Sequence, residues 1–170
     1  MLFRSPVAIR QCADRRRGAY RAVAKAGLDP AAVLREVTVP AMNARGGAAA
    51  ADELLGSGRR PPAVFCANDM LALGLLRRLG QAGVMVPGDL AVVGYDDIEF
   101  AADAAVPLTS VRQPKYQLGR AAAELLLEEA DRPSEHEHRR FVFTPELVVR
   151  ASSGREAAVS PGQVKGSVPA

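Results

Sequence analysis

The sequence has few of the residues on which catalytic and metal sites depend. Its 170 residues include no tryptophan, two cysteines and two histidines. Two cysteines cannot form a disulfide framework, and Cys66, inside an apolar run, is expected to be a buried, inert thiol. The histidines, His136 and His138, fall in one charged loop, which leaves a histidine-based triad or metal site almost nothing to build on. Because no Gly-x-Ser-x-Gly elbow, phosphate loop or Cys-x-x-Cys motif is present either, we expect no catalytic residue, no metal and no cofactor.

The chain also has little excess of charge and no long apolar run. Lysine and arginine total 22 against 19 acidic residues, and the net charge of +3 is weak evidence for direct nucleic-acid binding. No apolar run is long enough to span a bilayer. Residues 1–10 have neither the apolar core nor the small-residue cleavage site of a secretory signal. We therefore expect a cytoplasmic protein without membrane contact.

Glycine, proline and asparagine punctuate the chain into alternating helices and strands. The predicted helices are 15–26, 44–55, 69–81 and one from Pro114 to about 130. The predicted strands are 33–39, 63–66, 90–93 and 108–112, with short extended pieces at 141–143 and 146–150. Asn43 and Asn68 are expected to cap the two middle helices, and Gly27 to end the first.

This order predicts an α/β fold with a doubly wound parallel sheet. The strands are apolar on both faces, as in a parallel sheet that helices cover on both sides. The chain is expected to open directly into a helix, with no strand before it. The helix after Pro114 carries a broad apolar face, including Leu118 and Leu126, and is expected to pack away from the earlier helices.

Polar residues stand at the carboxyl ends of two predicted strands, where ligands bind in open parallel sheets. Asn68 follows strand 63–66, and Asp96 and Asp97 follow strand 90–93. Asn68 could be a helix cap alone, and the aspartates could form only a turn stabilised by side-chain hydrogen bonds. As sequence neighbours, Asp96 and Asp97 point different ways and do not form an acid/base pair facing one substrate.

Several long motifs, in one order and spacing, resemble the lactose/galactose repressor (LacI/GalR) family of transcriptional regulators. The resemblance covers 13–154. The motifs are PPAVFCANDMLALG at 61–74, VPGDLAVVGYDD at 86–97, PLTSVRQP at 107–114 and ELVVR at 146–150.

The resemblance implies a periplasmic-binding-protein-like fold of type I, in which two α/β lobes joined by three crossovers hold an effector between them. By this alignment the chain is mainly the second lobe, plus one helix of the first. Residues 1–12 match nothing, 13–154 form a partial effector-binding domain, and 155–170 are expected to be a disordered tail. The helix-turn-helix domain of the family lies upstream of these motifs, and we expect these 170 residues not to include it.

The resemblance also assigns ligand contacts residue by residue. Arg15, Asn68 and Asp96 match polar contacts to the effector, and Gln113 lies on the crossover beside the cleft. Met42 falls where many members place an aromatic side chain that stacks on the ligand. A sugar ring would therefore lack its usual stacking partner at this position.

The helix 69–81 is expected to contribute to a two-fold dimer interface, again by resemblance. Leu73 and Leu76 are the candidate apolar contacts, the alternative being that both belong to the core.

The function predicted from these observations is effector sensing in a LacI-type regulator. The partners would be a small-molecule effector, a sugar or related metabolite, a second copy in the full-length protein, and operator DNA only through the absent N-terminal domain. The alternative is a periplasmic-type sugar-binding protein of a transport system, which shares the fold. A small α/β enzyme is a third class, for which the sequence offers neither a nucleophile–base pair nor a phosphate loop.

Overall fold

Six strands and six helices alternate along the chain in a computed structural model that describes residues 1–4, 10–58, 60–131 and 139–154. The strands are β1 (Leu2–Arg4), β2 (Glu36–Thr38), β3 (Ala63–Cys66), β4 (Ala91–Asp96), β5 (Thr109–Arg112) and β6 (Glu146–Val148). The helices are α1 (Arg10–Lys25), α2 (Pro30–Val33), α3 (Ala44–Gly56), α4 (Asp69–Gln81), α5 (Glu99–Ala102) and α6 (Lys115–Asp131).

The strands form one sheet in the order β2-β1-β3-β4-β5-β6, in which only the β5–β6 pair is antiparallel. The expected parallel α/β fold is therefore confirmed. The expectation that no strand precedes the first helix is wrong, because β1 lies between β2 and β3 and pairs with both. Three residues followed by Ser5-Pro6 are too short a run to show strand periodicity.

The predicted caps are confirmed. The Oδ1 atom of Asn43 accepts a hydrogen bond from the Gly46 amide at 3.0 Å, and that of Asn68 accepts one from the Leu71 amide at 2.9 Å. Each satisfies a backbone donor that the first turn of a helix leaves unpaired. Helix α1 ends just before Gly27, whose φ of 77° is a conformation that glycine adopts at little cost. The caps therefore fix the residues at which α3 and α4 begin.

Helices α3 and α4 meet backbone to backbone. A Cβ atom on Gly47 would overlap the Leu71 carbonyl, and one on Gly74 would overlap the Ala44 carbonyl. Helix α4 also packs on β3 and β4, where the buried residues alternate along each strand. The opposite face of the sheet, which includes Phe65, is only half-buried beneath α1. Helices thus cover one face of the sheet more completely than the other.

Cys66 is buried in this core, as expected of an inert thiol. It is 1% exposed, and burial raises its pKa far above the ordinary value. A thiol that stays protonated is a poor nucleophile. Both cysteines are free of disulfides.

Helix α6 packs away from the core, in agreement with the expectation from its sequence. It contains no buried residue within the described part of the chain, and Leu126 and Leu127 are 67% and 63% exposed. No helix within the described ranges combines the length and apolarity needed to cross a membrane.

The ends of several predicted segments differ from expectation. Helix α1 begins at Arg10 and not at residue 15, β4 runs on to Asp96, which therefore ends the strand and does not follow it, and β6 stops at Val148. Val33 belongs to α2, whose N-cap Asp29 accepts a hydrogen bond from the Ala31 amide, so the predicted strand 33–39 shortens to β2. The piece at 141–143 is not a strand.

Ser152, the first of the small polar residues near the chain's end, is fully buried. Its hydroxyl donates to the Val92 carbonyl at 2.6 Å and accepts from the Thr109 amide at 2.8 Å. His136, His138 and the predicted tail 155–170 lie outside the described residues.

Candidate ligand-binding site

Three of the predicted site residues meet at the carboxyl ends of the central strands. Asp96 ends β4, Gln113 follows β5, and Arg15 reaches them from α1. The Nε2 atom of Gln113 donates to Asp96 Oδ1 at 2.8 Å, and Arg15 Nη2 lies 3.7 Å from the same oxygen. Residues from three elements therefore form one polar cluster.

Arg15 is held by the lobe itself. Its guanidinium lies over the Tyr95 ring, 3.7 Å from the centroid, and donates a hydrogen bond to the Ala67 carbonyl. An arginine stacked on an aromatic ring with one N–H fixed has little rotational freedom. The remaining N–H groups are thus presented in a defined direction beside Asp96.

Asp96 is a carboxylate in a partly desolvated position. Burial raises its pKa above the ordinary value, against the opposing effects of Arg15 and the Gln113 hydrogen bond. Its φ of 109° lies in a region that side-chain-bearing residues rarely adopt. The strand end therefore holds this carboxylate in a position that an ordinary extended strand would not give.

A cleft of about 700 Å³ lies between α1 and the half-buried face of the sheet. Arg15 and Gln113 line it at one end, with Gln11 and Asp14. Gly18, Ala19, Ala22, Val23, Phe65 and Tyr95 give the rest of the wall a largely apolar character. The volume lies in the range of small-molecule pockets, which combine apolar walls with a few polar groups.

Of the predicted site residues only Arg15 and Gln113 line this cleft; Asp96 lies beside it through its contacts with those two, and Asn68 and Met42 form a separate pair. The Nδ2 atom of Asn68 donates to the Met42 carbonyl at 3.0 Å, while its Oδ1 serves as the α4 cap. The Met42 sulphur accepts a hydrogen bond from the buried Cys12 thiol, with 3.7 Å between the sulphurs. Both polar groups of Asn68 are therefore engaged within the lobe.

Asp97 points away from Asp96 into a cluster of basic side chains. Arg150 Nη1 donates to Asp97 Oδ1, and Arg112 Nε donates to Asp97 Oδ2, each at 2.7 Å. Burial by itself would raise the pKa of Asp97, but the two arginine hydrogen bonds outweigh it and lower the pKa. As expected, the neighbouring aspartates have separate partners.

Asp69 connects the start of α4 to the turn after β4. It is fully buried, accepts from Ser110 Oγ at 2.6 Å and accepts from the Ile98 amide at 2.9 Å. Burial raises its pKa. Gly94 leaves the space that this carboxylate occupies, because a Cβ there would overlap Asp69 Oδ1.

Leu73 and Leu76 are half-buried and pack against the hydrophobic core. Each therefore has one side on the core and retains some exposed surface. Their role in a dimer interface stays a prediction.

Sequence reasoning missed several residues that build the site. Tyr95 was visible only as part of a motif, and Asp69 was interpreted as a favourable charge in the first turn of a helix. Neither a stacking contact nor a buried carboxylate has a local sequence signal. Among the residues that the structure describes, no group of three or more His, Cys, Asp or Glu side chains could hold a metal ion.

Comparisons with known proteins agree on the family to which this fold belongs. The family of periplasmic binding protein-like domains matches residues 3–153. A curated relative, the HTH-type transcriptional repressor PurR of Vibrio cholerae, is 50% identical over 101 residues, which cover 59% of this chain and 30% of the repressor. The chain thus spans less than a third of this relative.

Two solved structures share the fold over about nine-tenths of the chain. A LacI family transcriptional regulator from Enterococcus faecium with bound ribose has a TM-score of 0.81 at 29% identity, covering 89% of this chain and 55% of the regulator. The lac repressor dimer bound to operator and an anti-inducer has a TM-score of 0.77 at 26% identity, covering 89% and 51%. The chain therefore belongs to the family of periplasmic binding protein-like domains, in which its relatives are the effector-binding domains of LacI-type regulators.

Proposed function

We propose that this chain is the effector-sensing lobe of a LacI-type transcriptional regulator and that it binds a neutral polyhydroxy compound such as a sugar. The observation that carries the proposal is the convergence of Arg15, Asp96 and Gln113 beside the cleft. Together these side chains offer charged donors, a charged acceptor and an amide. Such a set can satisfy the donor and acceptor of each ligand hydroxyl group.

Charge argues against a phosphorylated ligand. The Asp96 carboxylate would repel a phosphate, and the sequence contains no glycine-rich loop to offer backbone N–H groups. Neither Met42 nor Asn68 lines the cleft, and their polar atoms contact each other and Cys12. We therefore propose them as contacts only for a ligand that is larger than the cleft.

The functions of the relatives favour a regulator over the other candidates. PurR is a repressor, and the ribose-bound structure is a regulator. A transport binding protein shares the fold but is not supported by these relatives. Since the relatives are regulators and not enzymes, we also propose that the chain has no catalytic activity and acts in the cytoplasm.

The proposal is tested by titrating the isotope-labelled chain with D-ribose, cellobiose and inorganic phosphate while amide chemical shifts are recorded. The sugars should shift the signals of Tyr95, Asp96 and Gln113, and phosphate should not. Asp96→Ala should weaken sugar binding by about 2–3 kcal/mol, because ligand hydroxyl groups lose a charged partner. Asp52→Ala, which removes an exposed carboxylate paired with Arg78, is the matched control. A stronger response to phosphate, or equal binding by Asp96→Ala, would contradict the proposal.

DNA and a second copy are proposed partners of the longer protein only. The isolated chain should not retard or polarise labelled duplex DNA at physiological salt. In a protein that joins this chain to the remaining half of a relative, Leu73→Asp should shift the mass in solution from dimer to monomer. Leu76→Asp should do the same, and an unchanged mass in both variants would assign the interface to residues other than Leu73 and Leu76.

A further inference from the structure

We propose that Asp97 and Arg150 are positioning residues, which lock a left-handed turn and thereby hold the Asp96 carboxylate against Arg15 and Gln113, the polar residues that line the cleft. The inference rests on the proposed role of Asp96 as a ligand contact and adds residues that do not touch the ligand. It also accounts for an acidic residue placed directly after the ligand-binding one.

The turn is conformationally unfavourable by itself. Asp96 and Asp97 have φ values of 109° and 47°, and neither is a glycine. Two consecutive positive φ values are costly for residues with side chains and persist only where the surroundings over-determine them. Neighbouring contacts must therefore offset the cost of this turn.

Every polar group of Asp97 has such a contact. Its carboxylate accepts from Arg150 and Arg112, its amide donates to Ser110 Oγ at 3.0 Å, and its carbonyl accepts from Lys115 Nζ at 3.0 Å. Ser110 in turn donates to the buried Asp69. Asp97 is thus tied to β5, to the start of α6 and to the segment after β6.

Arg150 is the stronger of the two arginine partners. Its side chain is 17% exposed against 47% for Arg112, and the Asp97 side chain that both contact is 7% exposed. Arg150 Nη1 also donates to the Leu108 carbonyl at 2.8 Å, which fixes its position. Ion pairs that are shielded from water and held by further hydrogen bonds are weakened less by solvent.

Because Asp97 makes these contacts, the Asp96 carboxylate remains available to a ligand. Its carboxylate contacts Arg15 and Gln113, the residues that line the cleft, while the cost of the backbone is offset one residue away. The Asp96 side chain is 31% exposed in the native turn. Loss of the Asp97 contacts should therefore release the turn and expose more of this side chain to water, although no ligand contact has been removed.

The decisive comparison is between Asp97→Ala and Asp97→Gly in the 170-residue chain. Both variants lose the same carboxylate and so remove the same partner from Arg112 and Arg150, but only glycine adopts the left-handed conformation without strain. We measure the pKa of Asp96 by carbon-detected NMR titration and the amide exchange of Ile98. In Asp97→Ala the pKa of Asp96 should fall toward its ordinary value as burial is lost, and exchange at Ile98 should accelerate about tenfold. Asp97→Gly should show clearly smaller changes.

Equal behaviour of the two variants would overturn the role of the strained turn. Arg150→Lys is the milder second variant, and it should shift both readouts in the same direction, because the lysine side chain is one atom shorter and cannot place its Nζ where Arg150 Nη1 donates to both Asp97 and the Leu108 carbonyl. Arg78→Met, which breaks an exposed pair with Asp52 on α3, should leave both unchanged. Unchanged readouts in Arg150→Lys would overturn the role of Arg150. None of these readouts uses a ligand, so a wild-type chain that ignores D-ribose refutes only the proposed function.

Discussion

Replacing Gly74 with alanine should destabilise the domain strongly, because the structure leaves no space for the added methyl group. It would overlap the carbonyl of Ala44 in the facing helix, and the obstacle is backbone rather than a side chain that could rotate away. Overpacking of this kind costs about 1–3 kcal/mol, and a rigid obstacle favours the upper end. For a domain of this size each kcal/mol corresponds to a fall of about 2–4 °C in Tm, so we expect a fall of about 6–12 °C.

The assay is thermal unfolding followed by circular dichroism, with urea unfolding as a check on the free energy. Gly80→Ala is the matched control in the same helix, since no atom lies within 4 Å of its added Cβ. It should raise stability by about 0.5 kcal/mol, through helix propensity alone. If Gly74→Ala unfolds at the same temperature as Gly80→Ala, the close approach of α3 and α4 does not exist in solution.

The remaining predictions concern charge and exposed apolar surface. The lowered pKa of Asp97 contributes stability that is present above the unfolded pKa of about 3.9 and is lost as the pH falls through the folded value. Asp97→Asn should therefore cost about 2 kcal/mol at pH 7 and less at pH 3 in urea unfolding; an equal cost at both pH values would show that the charge is irrelevant. The exposed Leu126 and Leu127 should promote association of the isolated chain, which should have a marginal fold. Replacing both with glutamate should lower the mass measured by light scattering and leave the Tm nearly unchanged; a monomeric wild-type chain with a sharp, cooperative melt would contradict this.

Elements with strong local signals were predicted well from the sequence. Helix α4 begins and ends at the predicted residues, because Asn68 caps it and the apolar spacing between cap and end is regular. Strand β3 was also predicted with its observed bounds. By contrast, β1 was missed, since three residues carry no periodicity and its place in the sheet depends on β2 and β3, which come later in the chain.

The candidate site was predicted only in part, and the limit is physical. Residues at strand ends could be identified because parallel topology brings those ends together, which is why Asn68 and Asp96 were named, whereas Gln113 was assigned by the family resemblance alone. That Arg15 stacks on Tyr95, and that both side-chain groups of Asn68 are engaged within the lobe, depends on distances between elements far apart in sequence. Buried carboxylates such as Asp69 look like surface residues in the sequence, because their partners are provided by the fold.

Ser152 has a consequence for the order in which the chain folds. Its side chain closes loops of 43 residues to Thr109 and 60 residues to Val92, and its amide and carbonyl bond to Pro107 and Val92 as well. A chain made from its N-terminus can assemble β1 to β5 from successive strand–helix units before residue 152 is synthesised. Until then the amide of Thr109 and the carbonyl of Val92 have no partner in the interior. During synthesis these hydrogen bonds must therefore wait for residue 152, and a ribosome that stalls before it would hold a lobe in which Val92 and Thr109 lack their Ser152 partner.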